Sequence, residues 1–167
     1  RYRSPERVKL AYVELAIDKL GKAPAPAPDV LKTLYEANRE SMFATPEERH
    51  ARHILVAFGA DKEAARKKAE EYAEQLRKGA NFAELAREHS DDPGSKATGG
   101  DLGWVRHGMM VPAFEAGLFA LKPGETSVPV ESPYGWHIIQ MTELHEAQTK
   151  PLDDPGVQRQ LIDLYQQ

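Results

Sequence analysis

The chain contains no cysteine. Disulfide staples, thiolate nucleophiles and cysteine-based metal sites are therefore excluded, while no cellular compartment is singled out. Long apolar runs are also missing, and nothing approaches the roughly 20 residues that span a bilayer. Neither sign of charge dominates, since 22 Lys and Arg against 26 Asp and Glu leave a net charge of −4 over 167 residues. Bulk electrostatics thus favour neither nucleic acid nor an anionic membrane surface as a partner. Internal repeats, a phosphate-binding loop and a dinucleotide fingerprint are absent as well. There is no signal peptide, and the chain starts at Arg1 instead of Met. It reads as a piece of a longer protein whose anchor or targeting segment lies elsewhere.

What is present is enough for one core with flanking pieces: 41% hydrophobic and 29% charged residues. Residues 7–17 alternate apolar and charged positions, which predicts a strand. Lys22–Pro28 alternates Ala and Pro and forms an extended spacer. Asp29 caps a helix expected to end near Phe43. A strand is expected over Arg52–Phe58, and a helix capped by Asp61 carries Ala65, Ala69, Tyr72, Ala73 and Leu76 on one stripe. Asn81 and Glu84 form a capping box before a shorter helix. A long loop rich in Gly, Ser and Asp then runs from Ser90 to Trp104. After it come a short edge strand at 104–106, a helix opened by Pro112, a short strand at 128–130 limited by Pro129, and a strong strand at 136–142. Val157, Leu161, Ile162 and Tyr165 mark a terminal helix. Strands separated by helices and closed by a hairpin predict an α+β fold around a small antiparallel sheet.

The candidate chemistry lies around that sheet. His53 and His137 each sit in a run of strand-forming residues, where imidazoles need polar partners. Either they are two independent core histidines, or they face each other with Asp91 or Asp92 brought in by the loop. A zinc site lacks a recognised ligand spacing, a calcium site in the loop lacks its terminal Glu, and adjacent aspartates do not suit a glycosidase. Arg66-Lys67-Lys68 reads as a solvated helix face. Leu102, Met110, Phe114 and Trp136 line an apolar pocket or pack as ordinary core, and Met110 follows an exposed-looking Gly108-Met109.

Five blocks resemble the parvulin-type peptidyl-prolyl isomerases in order and spacing. They are His53-Ile54-Leu55-Val56, Ser90-Asp91-Asp92 with Ser95-Lys96, Gly99 to Trp104, Met110 with Phe114-Glu115, and Gly135-Trp136-His137-Ile138-Ile139. The resemblance implies a four-stranded antiparallel sheet surrounded by helices over residues 50–146. Residues 1–49 and 147–167 are then flanking, chaperone-like segments. By position it implies catalytic roles for His53, Asp92, His137 and Ser132, and substrate contacts for Leu102, Met110, Phe114 and Trp136. Asp92 falls where some members carry Cys and many bacterial ones Asp, and Tyr134 falls where members differ. The implied activity is cis–trans isomerisation of Xaa-Pro bonds in unfolded polypeptides, without a cofactor or a metal. The alternative is a module that holds unfolded clients through the same groove without catalysis. No oligomeric state is implied. The flanks resemble those of PpiD-like membrane-anchored periplasmic folding factors, with SurA-like chaperones second, which implies a periplasmic protein tethered to the inner membrane. The link Gly59-Ala60-Asp61 has no basic cluster, so no preference for phosphorylated residues is expected.

Overall fold

The computed structural model describes residues 25–166. The strand expected at 7–17 and the start of the proline-rich spacer lie outside these residues. The chain divides into two compact units. One holds α1 (Pro28–Asn38) and α5 (Pro155–Tyr165), with Tyr35, Val157 and Leu161 buried. Asp154 caps α5 by accepting from the N–H groups of Gly156 and Val157 at 2.7 and 3.1 Å.

The other unit runs Arg39–Lys150. It opens on a π-helical turn, Arg39–Phe43, so the helix expected to reach Phe43 is regular only as far as Asn38. A two-stranded ribbon pairs β1 (Ala44–Thr45) with β6 (Gln148–Thr149). The main sheet is antiparallel and contains β2 (Glu48–Ala57), β3 (Asp101–Val105), β4 (Val130–Ser132) and β5 (Gly135–His145), in the order β3-β2-β5-β4. Helices α2 (Lys62–Arg77), α3 (Phe82–His89) and α4 (Pro112–Phe119) cover it. This is the α+β, four-stranded architecture expected.

Local chemistry explains the boundaries. Asp61 accepts from the N–H groups of Glu63 and Ala64 to start α2, and Asn81 accepts from that of Glu84 to start α3. The edge strand expected at 104–106 begins instead at Asp101, so the glycine-rich loop closes at Gly100. The strand expected at 128–130 lies at 130–132, leaving Pro129, which has no N–H to donate, just outside it. Two glycines are required by close approach. Gly100 has φ +83°, and a Cβ there would collide with the His53 carbonyl; Gly135 would collide with that of Val56.

The sheet has two buried faces. Ile54 and Val56 of β2 and Ile138 of β5 pack against Ala65, Ala69 and Ala73 of α2 and Phe82, Leu85 and Ala86 of α3. On the opposite face, Ala51, Ile139 and Met141 pack against Val105, Phe114 and Leu118. Each fully buried Ile or Leu contributes about 1.5–3 kcal/mol of transfer free energy. Strand alternation puts His53 and His137 on this second face.

Candidate active site

His53 lies opposite Ile139 in the ladder, and His137 lies opposite Leu55. The histidines are therefore diagonal neighbours on one face of adjacent strands. Only 6% of His53 and 5% of His137 is exposed. An unpaired polar group at such depth costs about 1–3 kcal/mol, so the partners of these rings decide whether the site is tenable. The His53 and His137 Nδ1 atoms are 3.1 Å apart, with ring planes 16° from parallel. His53 Nε2 lies 2.8 Å from Asp92 Oδ2, and His137 Nε2 lies 2.7 Å from Ser132 Oγ. The paired arrangement is the one observed, and independent core histidines are not.

The proton positions follow from what each partner can do. The Asp92 carboxylate only accepts, so His53 Nε2 carries the proton that faces it. Burial, then the neighbouring His53, lowers the His137 pKa from 6.5 to about 4, so His137 carries a single ring proton near neutral pH. Placing the His137 proton on Nδ1 lets Ser132 Oγ–H donate to His137 Nε2 and His137 Nδ1–H donate to His53 Nδ1. His53 Nε2–H completes the row by donating to Asp92. Ser132 Oγ also accepts the Tyr134 N–H at 3.1 Å.

The loop delivers Asp92 by anchoring its neighbours. Asp91 N–H donates to the Leu55 carbonyl at 2.8 Å, and Asp91 Oδ2 accepts the Ala57 N–H at 2.9 Å. Asp91 thus fastens the loop to the end of β2 while Asp92 turns toward His53. Burial opposes ionisation of Asp92, but bonds from Ser95, His53 and the Gly94 N–H outweigh it and hold the carboxyl at about 2. Ser95 is the residue that sequence reasoning missed. It is 2% exposed, its hydroxyl donates to Asp92 Oδ2, and its Oγ lies 3.0 Å from His53 Nε2. The available signal was the Asp-x-x-Ser spacing, which suits a side chain folding back on its own turn.

Phe114, on α4, is 2% exposed and stands edge-on to both imidazoles, with centroids 5.8 Å from His53 and 5.3 Å from His137. Leu102 and Met110 are partly buried and pack on the same apolar cluster. Trp136 does not join them. It precedes His137 on β5 and points to the other face, where it packs on the cluster beneath α2 and α3. Its expected place in the pocket is corrected by strand alternation alone. Among the described residues, no group of three or more His, Asp or Glu is placed to hold a metal ion.

The arrangement is a closed hydrogen-bonded row beside an apolar wall. Ser132 and His137 look like a nucleophile and its base, yet Ser132 is 5% exposed and accepts a backbone N–H. A buried hydroxyl so engaged suits orientation of the row better than attack on a substrate.

Comparisons with known proteins agree with this geometry. Residues 53–143 match the family model described as rotamase, PPIC-type PPIASE domain. A protein named chaperone SurA from Nitrosospira multiformis is 44% identical over 116 residues, covering 68% of this chain and 26% of that protein. The crystal structure of a peptidylprolyl isomerase, PrsA, from Bacillus anthracis is 35% identical with a TM-score of 0.56, covering 81% of this chain and 58% of that one. A solved chain from Campylobacter jejuni, where the virulence factor PEB4 and the periplasmic protein Cj1289 are described as SurA-like chaperones, is 30% identical. Its TM-score is 0.67, covering 84% of this chain and 55% of that one. The chain thus spans about a quarter of the length of its SurA relative. These matches support the SurA-like likeness and give no specific support to the PpiD-like one, which had ranked first. The chain belongs to the PPIC-type, or parvulin, peptidyl-prolyl isomerase domain family.

Proposed function

We propose that the chain accelerates cis–trans rotation about Xaa-Pro bonds in unfolded or folding polypeptides, without covalent chemistry. The observation that carries this reading is the row Asp92–His53–His137–Ser132 set against the edge of buried Phe114. Leu102, Met110 and Phe114 hold the proline ring, and the row lies beside the rotating bond.

The barrier to overcome is about 18–20 kcal/mol and comes from amide resonance. The planar amide is charge-separated, and the twisted transition state is less so. An apolar wall that excludes water therefore disfavours the planar form relative to the twisted one, which is differential binding. The row fixes each imidazole tautomer and presents oriented dipoles that need no rearrangement as the bond turns. Asp92 serves as the charged end of the row and not as a nucleophile, because Ser95, His53 and the N–H groups of Gly94 and Ser95 occupy its oxygens.

The relative described as a peptidylprolyl isomerase supports catalysis. Those described as chaperones favour a second reading, in which the same groove holds unfolded clients without isomerising them. Exchange spectroscopy by NMR on a proline peptide separates the two. Faster cis–trans exchange at catalytic protein concentration is expected; line changes without faster exchange would leave holding alone.

The same proposal assigns residues 50–146 to the isomerase domain and the flanks 1–49 and 147–167 to client handling. It also places the protein outside the cytoplasm, as the periplasmic description of Cj1289 supports. A tether to an inner membrane would have to lie outside the described residues, because no helix among them is long and apolar enough to cross a membrane. Discrimination for phosphoserine before proline is not part of the reading. Lys62, next to the link, already pairs with Glu131 at 3.0 Å and lies over the Phe58 ring at 4.2 Å. Equal turnover of phosphorylated and unphosphorylated peptides is expected.

A further inference from the structure

The turn between β3 and α4 carries Met110, and packing alone does not hold it. His107, Gly108 and Met109 are exposed, Met109 at 59%. An open cleft of about 350 Å³ borders the turn, lined by His107, Met110, Pro112, Ala116 and Phe119. Within the turn, Met109 N–H reaches the Arg106 carbonyl at 3.3 Å, and Arg106 N–H reaches the Met109 sulfur at 3.3 Å. The first is long for an N–H···O bond, and the second ends on a thioether, which is a weak acceptor.

The firmer ties come from α4. Glu115 Oε1 accepts from His107 Nδ1 at 2.9 Å, and Glu115 Oε2 accepts the Gly108 N–H at 2.7 Å. A carboxylate only accepts, so His107 carries a proton on Nδ1, and both bonds are charge-assisted. The His107 ring also stacks on Phe119, with centroids 3.6 Å apart. Phe119 is steadied in turn by Arg49, whose guanidinium lies 4.7 Å from its ring centroid and bonds the Leu118 and Leu121 carbonyls at 3.1 and 2.9 Å. Glu115 follows Phe114 directly, so the helix turns its side chain about 100° away from that of Phe114. It serves the turn and not the histidine pair.

We propose that Glu115 is a positioning residue of the proline site, whose carboxylate ties His107 and Gly108 to α4 and so fixes Met110 against Phe114. This inference rests on the reading of Leu102, Met110 and Phe114 as the proline pocket. The bond from His107, then that from the Gly108 N–H, keeps the Glu115 carboxyl below its ordinary range despite some burial. It is therefore ionised at neutral pH, as the bonding requires.

The test compares wild type with Glu115→Ala, Glu115→Gln and His107→Ala. It reads Kd for a proline peptide by NMR titration, KM and kcat by exchange kinetics, and the Met110 methyl resonance. For Glu115→Ala, KM and Kd should rise about 5–10-fold with kcat within about twofold, the signature of lost uniform binding. Its Met110 methyl should shift or broaden while the Ile138 methyls stay in place. Glu115→Gln keeps an acceptor for the Gly108 N–H and should recover most of the affinity. His107→Ala, at an exposed residue, should raise KM by about two- to threefold. Unchanged Kd and an unmoved Met110 methyl in the alanine variants would overturn the proposal, as would a fall in kcat at constant KM. Should Glu115→Ala fail to fold, Glu115→Gln and His107→Ala decide by the same readouts. If wild type binds peptide without speeding exchange, the isomerase reading fails while Kd still judges Glu115. If it binds no peptide, the Met110 methyl judges it alone.

Discussion

On one face of the main sheet, Ile54, Val56 and Ile138 meet α2 and α3 through carbon alone. On the other, one residue along each strand, His53 and His137 meet Asp92, Ser95, Ser132 and Phe114. Both faces bury side chains, but different physics holds them. The first gains from area and close packing, so its residues act nearly independently and a change costs what its cavity costs. The second buries ring nitrogens and hydroxyls beside a half-buried carboxylate, so each group is tolerable only while its neighbour stays. There a single deletion orphans a second group, and effects of neighbours are coupled.

The largest effect should therefore appear on the apolar face, in stability alone. Ile54 is fully buried, and Ile54→Ala should cost about 2–5 kcal/mol in urea unfolding. Its kcat/KM per folded molecule should stay within about twofold of wild type. A selective loss of turnover at full folding would show that the faces are not separable.

Asp92→Ala should lower stability and turnover together. It removes the acceptor for both His53 Nε2–H and Ser95 Oγ–H, leaving two donors without it. Stability should fall by about 1–3 kcal/mol. Turnover should fall roughly 10–30-fold, equivalent to about 1.4–2 kcal/mol of transition-state stabilisation. Unchanged turnover would take Asp92 out of the catalytic set.

The same contrast explains what the sequence revealed. Helix starts at Asp61 and Asn81 were legible because a cap is a local bond between residues two or three apart. His53 and His137 stood out as histidines in strand-forming runs, while their pairing, and Asp92 over Asp91, came from family likeness, because the ladder that brings the rings together joins residues 84 apart. That Trp136 and His137 face opposite ways follows from their being neighbours on one strand, but hydropathy alone did not say which of the two faces each takes. Trp136-His137-Ile138-Ile139 is buried or half-buried on both faces, so the alternation that would assign a face is erased. Ser95 was hidden among residues that usually make turns, and it does make one: its N–H donates to Asp92 at 3.1 Å. The ribbon Ala44–Thr45 with Gln148–Thr149 joins two-residue segments about a hundred residues apart, too short for any periodicity.

A titration separates the faces with a smaller effect, because Ile54, Val56 and Ile138 carry no titratable proton. His137 has a pKa of about 4 in the folded chain against 6.5 as a free side chain. Between those values the unfolded state binds more protons, so stability rises with pH and is lost as pH falls through the window. Asp92 acts lower, with a pKa of about 2 against 3.8, so its contribution is present above 3.8 and lost as pH falls toward 2. Subtracting the urea stability of His137→Asn from that of wild type should leave a curve that climbs between pH 4 and 6.5. Its slope should not exceed about 1.4 kcal/mol per pH unit. A flat difference would mean that His137 is not held neutral.

The smallest expected effect tests the boundary itself. Trp136 sits between Gly135 and His137 but packs with Ile54, Val56 and Ile138, and its indole N–H is, among the described residues, buried without a partner. In Trp136→Phe, lost contact area and relief of that unpaired donor oppose each other, and stability should change by no more than about 1 kcal/mol. Turnover should be unchanged, because the side chain points away from His137 and Phe114. Phe114→Leu is the matched change on the other face: it keeps an apolar side chain but removes the ring edge that both imidazoles meet, so kcat/KM should fall several-fold, about 1 kcal/mol. If Trp136→Phe lowers turnover as much as Phe114→Leu at equal stability, Trp136 belongs to the proline site. Strand alternation would then no longer divide the proline site from the apolar face.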